Sequence, residues 1–222
     1  MARASKNRRP PRNRRPPVPT RRSSTPLIIG GVAIIVVVAA VVAFAMSGTG
    51  SGDVPEPARE PVAVRGMLLP TLTSPAADPG VGQAIPTISG IGLDGQALEF
   101  GPDDGPIAIV VLAHWCPHCQ AELPGLADFI AEGLIPAGVS VVGVSTAIDP
   151  VLPNYPPSAW LQREGWTQPT LVDDADSTAL TALGIESFPG FIFLAADGTV
   201  AQRLTGEIGV ERFVQALESI AP

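Results

Sequence analysis

Trp115-Cys116-Pro117-His118-Cys119 holds the only two cysteines in the 222-residue chain. Two thiols separated by two residues can close a small disulfide and open it again, and neither sulfur has another partner in the sequence. The motif follows an apolar run, Ile107 to Ala113, and precedes a helical stripe, Leu123, Leu126, Ala127, Ile130 and Leu134. That order places the dithiol where a strand hands over to a helix. Partial positive charge at a helix N-terminus favours a thiolate there. Pro117 falls at the first helical position, where its missing N–H costs nothing and its φ is already helical. Cys116 is then the N-cap, expected to be exposed and to be the sulfur that attacks or is attacked. Cys119, one turn further in on the apolar face, is expected to be shielded and to act as the resolving thiol. His118 adds positive charge or a hydrogen bond. Stabilising the thiolate stabilises the reduced pair, so the disulfide becomes more oxidising.

The flanking sequence alternates between strand and helix signals. Pro86–Ile91 and Gln96–Phe100 flank Leu93-Asp94-Gly95, a hairpin signal. Ile107–Ala113 and Val139–Val144 are continuous apolar runs that suit strands buried on both faces. Ser158–Glu164 and Ser177–Leu183 read as short helices with a strand near Thr170–Val172 between them. Phe191–Ala195 and Val200–Leu204 flank Asp197-Gly198, a second hairpin, and Val210–Ile220 reads as a final helix with Phe213, Val214 and Leu217 inward. Pro124 is expected to kink the helix after the cysteines. The sum is a mixed α/β sandwich.

Three separated motifs carry a family resemblance. Trp115 followed by Cys116-x-x-Cys119, with Pro124 five residues on, resembles the thioredoxin superfamily. Gly184-Ile185-Glu186-Ser187-Phe188-Pro189 before the strand at Phe191 resembles that family's cis-proline loop. Gln120-Ala121-Glu122-Leu123-Pro124 is similar to the membrane-anchored TlpA branch, and Cys-Pro-His-Cys matches the dipeptide of DsbA-type oxidases. The resemblance covers roughly residues 83–222. It implies a thioredoxin-like mixed sheet flanked by helices, and the apolar run at Leu27–Met46 adds the expectation of one transmembrane helix before it. It implies that Pro189 is cis and beside the sulfurs, with the backbone before it pairing with a bound peptide. Cys116, Cys119, His118, Pro117 and Pro189 are then the catalytic candidates, and Trp115, Phe188 and Pro189 line the substrate site. The family often carries an acid six positions before the first cysteine, where this chain has Val110, so Glu122 or Glu186 are the candidates to move the proton. Gly190 stands where threonine often follows the proline.

Other chemistries fit less well. A four-residue disulfide loop removes little chain entropy, so a purely structural staple is disfavoured. His114 and His118 are the chain's only histidines, and with the two cysteines they suggest a metal site. Four ligands packed into one tight turn suit tetrahedral geometry poorly, and no metal is expected. His114 is expected to be exposed at the strand end. The chemistry needs no cofactor beyond the Cys116–Cys119 disulfide.

Charge divides the chain. Nine basic residues lie before Thr25 and no acid occurs until Asp53; from Ser47 on, five arginines face all 21 acids. Leu27–Met46 is uncharged and, as a helix, spans about 30 Å, the thickness of a hydrocarbon core. Arginines crowd only its N-terminal side, which sets that side in the cytoplasm. A cleavable signal peptide fits less well, because the apolar run is too long for an h-region. The basic tail has no aromatic residues and no folded module, so it reads as a topology signal rather than a nucleic-acid site. The expected organisation is a disordered tail over 1–26, a transmembrane helix over 27–46, a Gly/Pro-rich linker over 47–82 and a thioredoxin-like domain over 83–222. Within the linker, Met67–Leu69 is expected to pack on the domain as an extended strand. The resulting expectation is a membrane-anchored, extracytoplasmic thiol:disulfide oxidoreductase acting on exported protein thiols or disulfides. Oxidation is favoured, with a quinone-linked membrane protein as the recycling partner. A TlpA-like reductase, such as one serving cytochrome c maturation, is the alternative, and a metal-binding module a more distant one.

Overall fold

The computed structural model describes residues 59–222. The basic tail, the apolar segment over 27–46 and the first part of the linker lie outside the described residues. Among the described residues no helix is long and apolar enough to cross a membrane.

The strands are β1 (Ala63–Arg65), β2 (Thr87–Gly92), β3 (Ala97–Phe100), β4 (Ile107–Leu112), β5 (Ser140–Ser145), β6 (Thr170–Val172), β7 (Gly190–Leu194) and β8 (Val200–Thr205). The helices are α1 (Pro117–Ala131), α2 (Pro157–Arg163), α3 (Thr178–Leu183) and α4 (Gly209–Ile220). All eight strands join one mixed sheet in the order β1-β2-β6-β5-β4-β7-β8, with β3 paired to β2. β4, β5 and β6 run parallel, and β7 and β8 are added antiparallel. The β4–α1–β5 crossover puts the end of β4 and the start of α1 at the C-terminal edge of the parallel strands, where the dithiol sits.

The continuous apolar run of β4 hides a period of two. Ala108, Val110 and Leu112 join the core under α1 and α4, with Phe191, Phe193, Phe213 and Leu217. Ile107, Ile109 and Val111 join the opposite core, with Val142, Val144, Ile192, Ala179 and Leu183. A strand covered on both faces needs apolar residues at every position, which is why its alternation does not show in the sequence.

Several expectations change. α1, with Pro124 inside it, stops at Ala131, so Leu134, expected on its apolar stripe, lies beyond it and is exposed. The segment expected as linker is part of the domain from residue 59 onward. Its strand is Ala63–Arg65 rather than Met67–Leu69: Met67 and Leu68 are exposed and only Leu69 is buried. Backbone bonds hold this segment down, Leu69 N–H to Ala182 O at 3.0 Å and Leu72 N–H to Gly184 O at 2.8 Å. Gly184 closes α3 in a left-handed conformation (φ 64°), and a Cβ there would lie 2.5 Å from Pro70 O, so the strap lies flat only against glycine. Asp78 completes the attachment. Its carboxylate accepts from Arg203 Nε at 2.9 Å and from Arg203 Nη2, and both side chains are enclosed. Proline content suggested a spacer, whereas the long-range partners that fix these residues leave no local pattern.

Candidate functional site

Cys116 is the N-cap of α1, with extended backbone (φ −74°, ψ 120°), and Pro117 takes the first helical position. Both cysteines are free thiols. Cys119 is wholly enclosed, as its place on the inner face of α1 dictates. Cys116 was expected to be exposed, but only 6% of its surface is open. The cause is a wall of aromatic and loop residues. Phe188 and Trp115 meet edge to face, with ring centroids 6.0 Å apart and planes at 89°. The Cys116 Sγ lies 3.8 Å from Phe188 O, its hydrogen-bond acceptor. The Phe188–Pro189 peptide is cis.

The two sulfurs are not equivalent. Burial pushes the Cys119 thiol far above the ordinary thiol value, and negative charge at Cys116 and at Glu122 pushes the same way. A backbone hydrogen bond from Ala113 offsets only part of this. Glu122, one turn further along α1, is itself buried and accepts from Gly209 N–H at 2.9 Å. Burial raises its carboxyl above the usual range, the Gly209 and Ile208 amides lower it, and Glu207 adds to the rise. Of the two acids the sequence offered, Glu122 is beside the dithiol and Glu186 is exposed. Val110 is fully buried beneath the site. Gly190 opens β7 against Ile185, where a Cβ would come within 2.6 Å of Ile185 Cγ2, so a side chain there has no room.

His118 is exposed on the first turn of α1, and its Nδ1 lies 2.6 Å from Glu207 Oε1. Glu207, 89 positions away in the chain, gave no sequence signal. Trp115 Nε1 donates to Ala147 O at 2.7 Å, which fixes the indole beside the sulfur.

His114 is fully buried rather than exposed. Its Nδ1 meets Pro153 O at 2.7 Å and its Nε2 accepts from Asp149 N–H at 3.2 Å. A carbonyl can only accept and an amide can only donate, so the ring is neutral with its proton on Nδ1. Its own backbone carbonyl accepts from the side-chain amides of Gln120 and Asn154, both at 3.2 Å. His114 therefore pins the loop after β5 against the start of α1, and both its nitrogens are occupied. Among the described residues no group of three or more His, Cys, Asp or Glu side chains is placed to hold a metal ion.

A buried thiol behind a helix-capping cysteine, next to a cis-proline loop on this sheet, is the arrangement of a thioredoxin-like fold, and two thiols so placed can exchange disulfides without a cofactor. The chain belongs to the Redoxin family, whose profile matches residues 80–217. Among curated proteins it is 30% identical over 125 residues to the soluble secreted antigen MPT53 of Mycobacterium tuberculosis and of Mycobacterium bovis. That alignment takes in 56% of this chain and 65% of the relative, just under two thirds of its length. Among solved structures, a DsbF homologue from Corynebacterium diphtheriae superposes with a TM-score of 0.52 at 17% identity, over 74% of this chain and 96% of that one. The thioredoxin domain of a thiol-disulfide oxidoreductase from Bacteroides vulgatus gives 0.50 at 18% identity, over 64% and 98%. At these identities the structural matches speak for the fold.

Proposed function

We propose that this protein exchanges disulfides with exported polypeptides through Cys116 and Cys119, as an oxidase. The observation that carries the reading is the inequality of the two sulfurs. Cys116 lies at the helix N-terminus against the Phe188 carbonyl, and Cys119 is sealed behind it with its thiol held protonated. A substrate thiolate attacks Cys116 Sγ of the oxidised enzyme, the Cys116–Cys119 bond breaks, and a mixed disulfide forms. The departing Cys119 sulfur takes up a proton. A second substrate thiolate then attacks the substrate sulfur of the mixed disulfide and displaces Cys116. Two electrons pass from the substrate dithiol to the enzyme, and a quinone-linked membrane protein removes them again. Pro117 sets the helix start. Trp115, Phe188 and Pro189 form the surface against which the substrate chain lies, with the Phe188 backbone as its pairing partner. The oxidising direction rests on His118 within Cys-Pro-His-Cys, since positive charge or a hydrogen bond beside Cys116 favours the reduced enzyme.

The apolar segment over 27–46 is proposed as a single membrane anchor, with the arginine-rich tail in the cytoplasm and the redox domain outside. The secreted character named for the mycobacterial relative supports an extracytoplasmic setting.

Equilibration of the purified domain with glutathione buffers tests the direction. An oxidase should come to rest well above the potential of thioredoxin, about −270 mV; a value at or below it makes the protein a reductase. Replacing Cys119 with Ala in the native host should trap substrates on Cys116 as mixed disulfides.

A further inference from the structure

The turn from β8 into the first residue of α4, Gly206-Glu207-Ile208-Gly209, touches three parts of the site at once. Gly206 N–H donates to Pro189 O at 2.9 Å. The Glu207 carboxylate meets His118 Nδ1 at 2.6 Å. Gly209 N–H donates to Glu122 Oε1 at 2.9 Å. Both glycines have positive φ, 79° and 73°, so the loop turns sharply on either side of Glu207 and presents it to α1. His118 and Glu122 are four residues apart on α1 and therefore lie on one face of it. The loop grips that face at both points.

We propose that Glu207 is a positioning residue that restrains the oxidising power of the dithiol, by holding the His118 imidazole and setting a negative charge beside it. The inference deepens the reading above and uses the same site, but it concerns a difference in potential and not its absolute value. An ionised carboxylate can only accept, so the His118 proton sits on Nδ1 and points at Glu207. The ring is thereby held toward the β8–α4 loop.

The sign of the effect follows from charge and orientation together. Glu207 contributes one negative charge and holds the His118 Nδ1–H toward the β8–α4 loop. Removing it takes away that charge and frees the imidazole to turn an N–H toward Cys116, a release that needs His118 to be present. A more positive field stabilises the thiolate of the reduced enzyme, and the disulfide becomes easier to reduce. The pair is exposed, 66% on the His118 side and 49% on the Glu207 side, so the effect belongs to the modest range of surface ion pairs.

The test is the equilibrium constant for oxidised enzyme plus two glutathiones giving reduced enzyme plus glutathione disulfide. Glu207→Gln removes the charge and leaves an amide oxygen for Nδ1–H, and Glu207→Ala removes both. Each should raise the constant by about two- to fivefold, which is about 10–20 mV at about 29.6 mV per tenfold for two electrons. In a His118→Phe background the same substitutions should have less than half that effect. No rise in either variant overturns the inference, and so does a full rise in the absence of His118, which would make Glu207 a remote charge and not a partner of the ring. A wild-type potential near that of thioredoxin, with the Glu207 shift intact, would sink the oxidase reading and leave this inference standing.

Discussion

Glu122 and Cys119 lie three residues apart on α1, both buried, and the charge of one opposes ionisation of the other. In the proposed cycle Cys119 gains and loses a proton, and it has beside it an acid whose own carboxyl is raised, first by burial. Such a neighbour is suited to take the Cys119 proton when that thiol attacks and to return it when the sulfur leaves.

Glu122→Gln should slow every step that ionises Cys119, by about 10²-fold, the lower end for a positioned proton acceptor. Stopped-flow resolution of a mixed disulfide on Cys116 measures it, and an unchanged rate would remove Glu122 from the mechanism. Stability should move the other way. The folded-state value lies above the ordinary 4.5, so across that window the native state holds a proton the unfolded chain has released. Stability therefore falls as pH rises through the window, and at neutral pH the wild type carries the full desolvation penalty. The glutamine variant should unfold at higher denaturant at pH 7, by about 0.5–2 kcal/mol, with the difference vanishing near pH 4.

The Asp78–Arg203 pair should be a principal stabiliser of the segment before the hairpin. Burial alone would raise the Asp78 carboxyl. The Arg203 hydrogen bond, the Gly80 amide and the guanidinium charge outweigh it and hold it below the ordinary 3.8. A depressed carboxyl contributes stability that is complete above the unfolded value and is lost as pH falls through the folded one. Asp78→Ala leaves a buried guanidinium with only Leu183 O, at 2.9 Å, among its present acceptors. It should cost about 3–5 kcal/mol, read from urea unfolding at pH 7, and should flatten the acid limb of the stability profile.

How much was legible in the sequence depended on range. The hairpins at Leu93-Asp94-Gly95 and Asp197-Gly198, the apolar runs of β4 and β5, and the strand–dithiol–helix order are local patterns, and each corresponds to an observed element within a residue or two. The dithiol was legible because cysteine chemistry needs only two residues at fixed spacing. His114 was misread because its partners, Pro153 and Asp149, lie more than thirty positions away. Glu207 was invisible for the same reason. The exposure of Cys116 was misjudged because helix position alone says nothing about the Trp115–Phe188 wall brought over it.

His114 should matter to the fold and only indirectly to the chemistry. His114→Phe leaves the Asp149 amide and the Pro153 carbonyl without their present ring partners beside a ring that can pair with neither. Each buried orphan group costs about 1–3 kcal/mol. The loop that follows β5 also carries the Ala147 carbonyl that holds the Trp115 indole. The variant should lose stability in urea and show altered Trp115 fluorescence, whereas its glutathione equilibrium should move less than twofold. A large change in that equilibrium would assign His114 a direct part in tuning the sulfurs.

Phe188 covers Cys116 from one side and should separate large substrates from small ones. Its ring meets Trp115 edge to face, a contact worth about 0.5–1.5 kcal/mol beyond the area it buries. Its backbone carbonyl, the one facing Cys116 Sγ, survives truncation of the side chain. Phe188→Ala should therefore keep the sulfur's backbone partner while opening the wall above it. Alkylation of Cys116 by a small reagent such as iodoacetamide should accelerate several-fold, because access and not chemistry has changed. Turnover of a reduced, unfolded polypeptide should instead suffer in KM, by about tenfold or about 1.4 kcal/mol, with kcat retained. If alkylation and polypeptide turnover both speed up, Phe188 only obstructs the sulfur, and the substrate chain makes its contacts elsewhere.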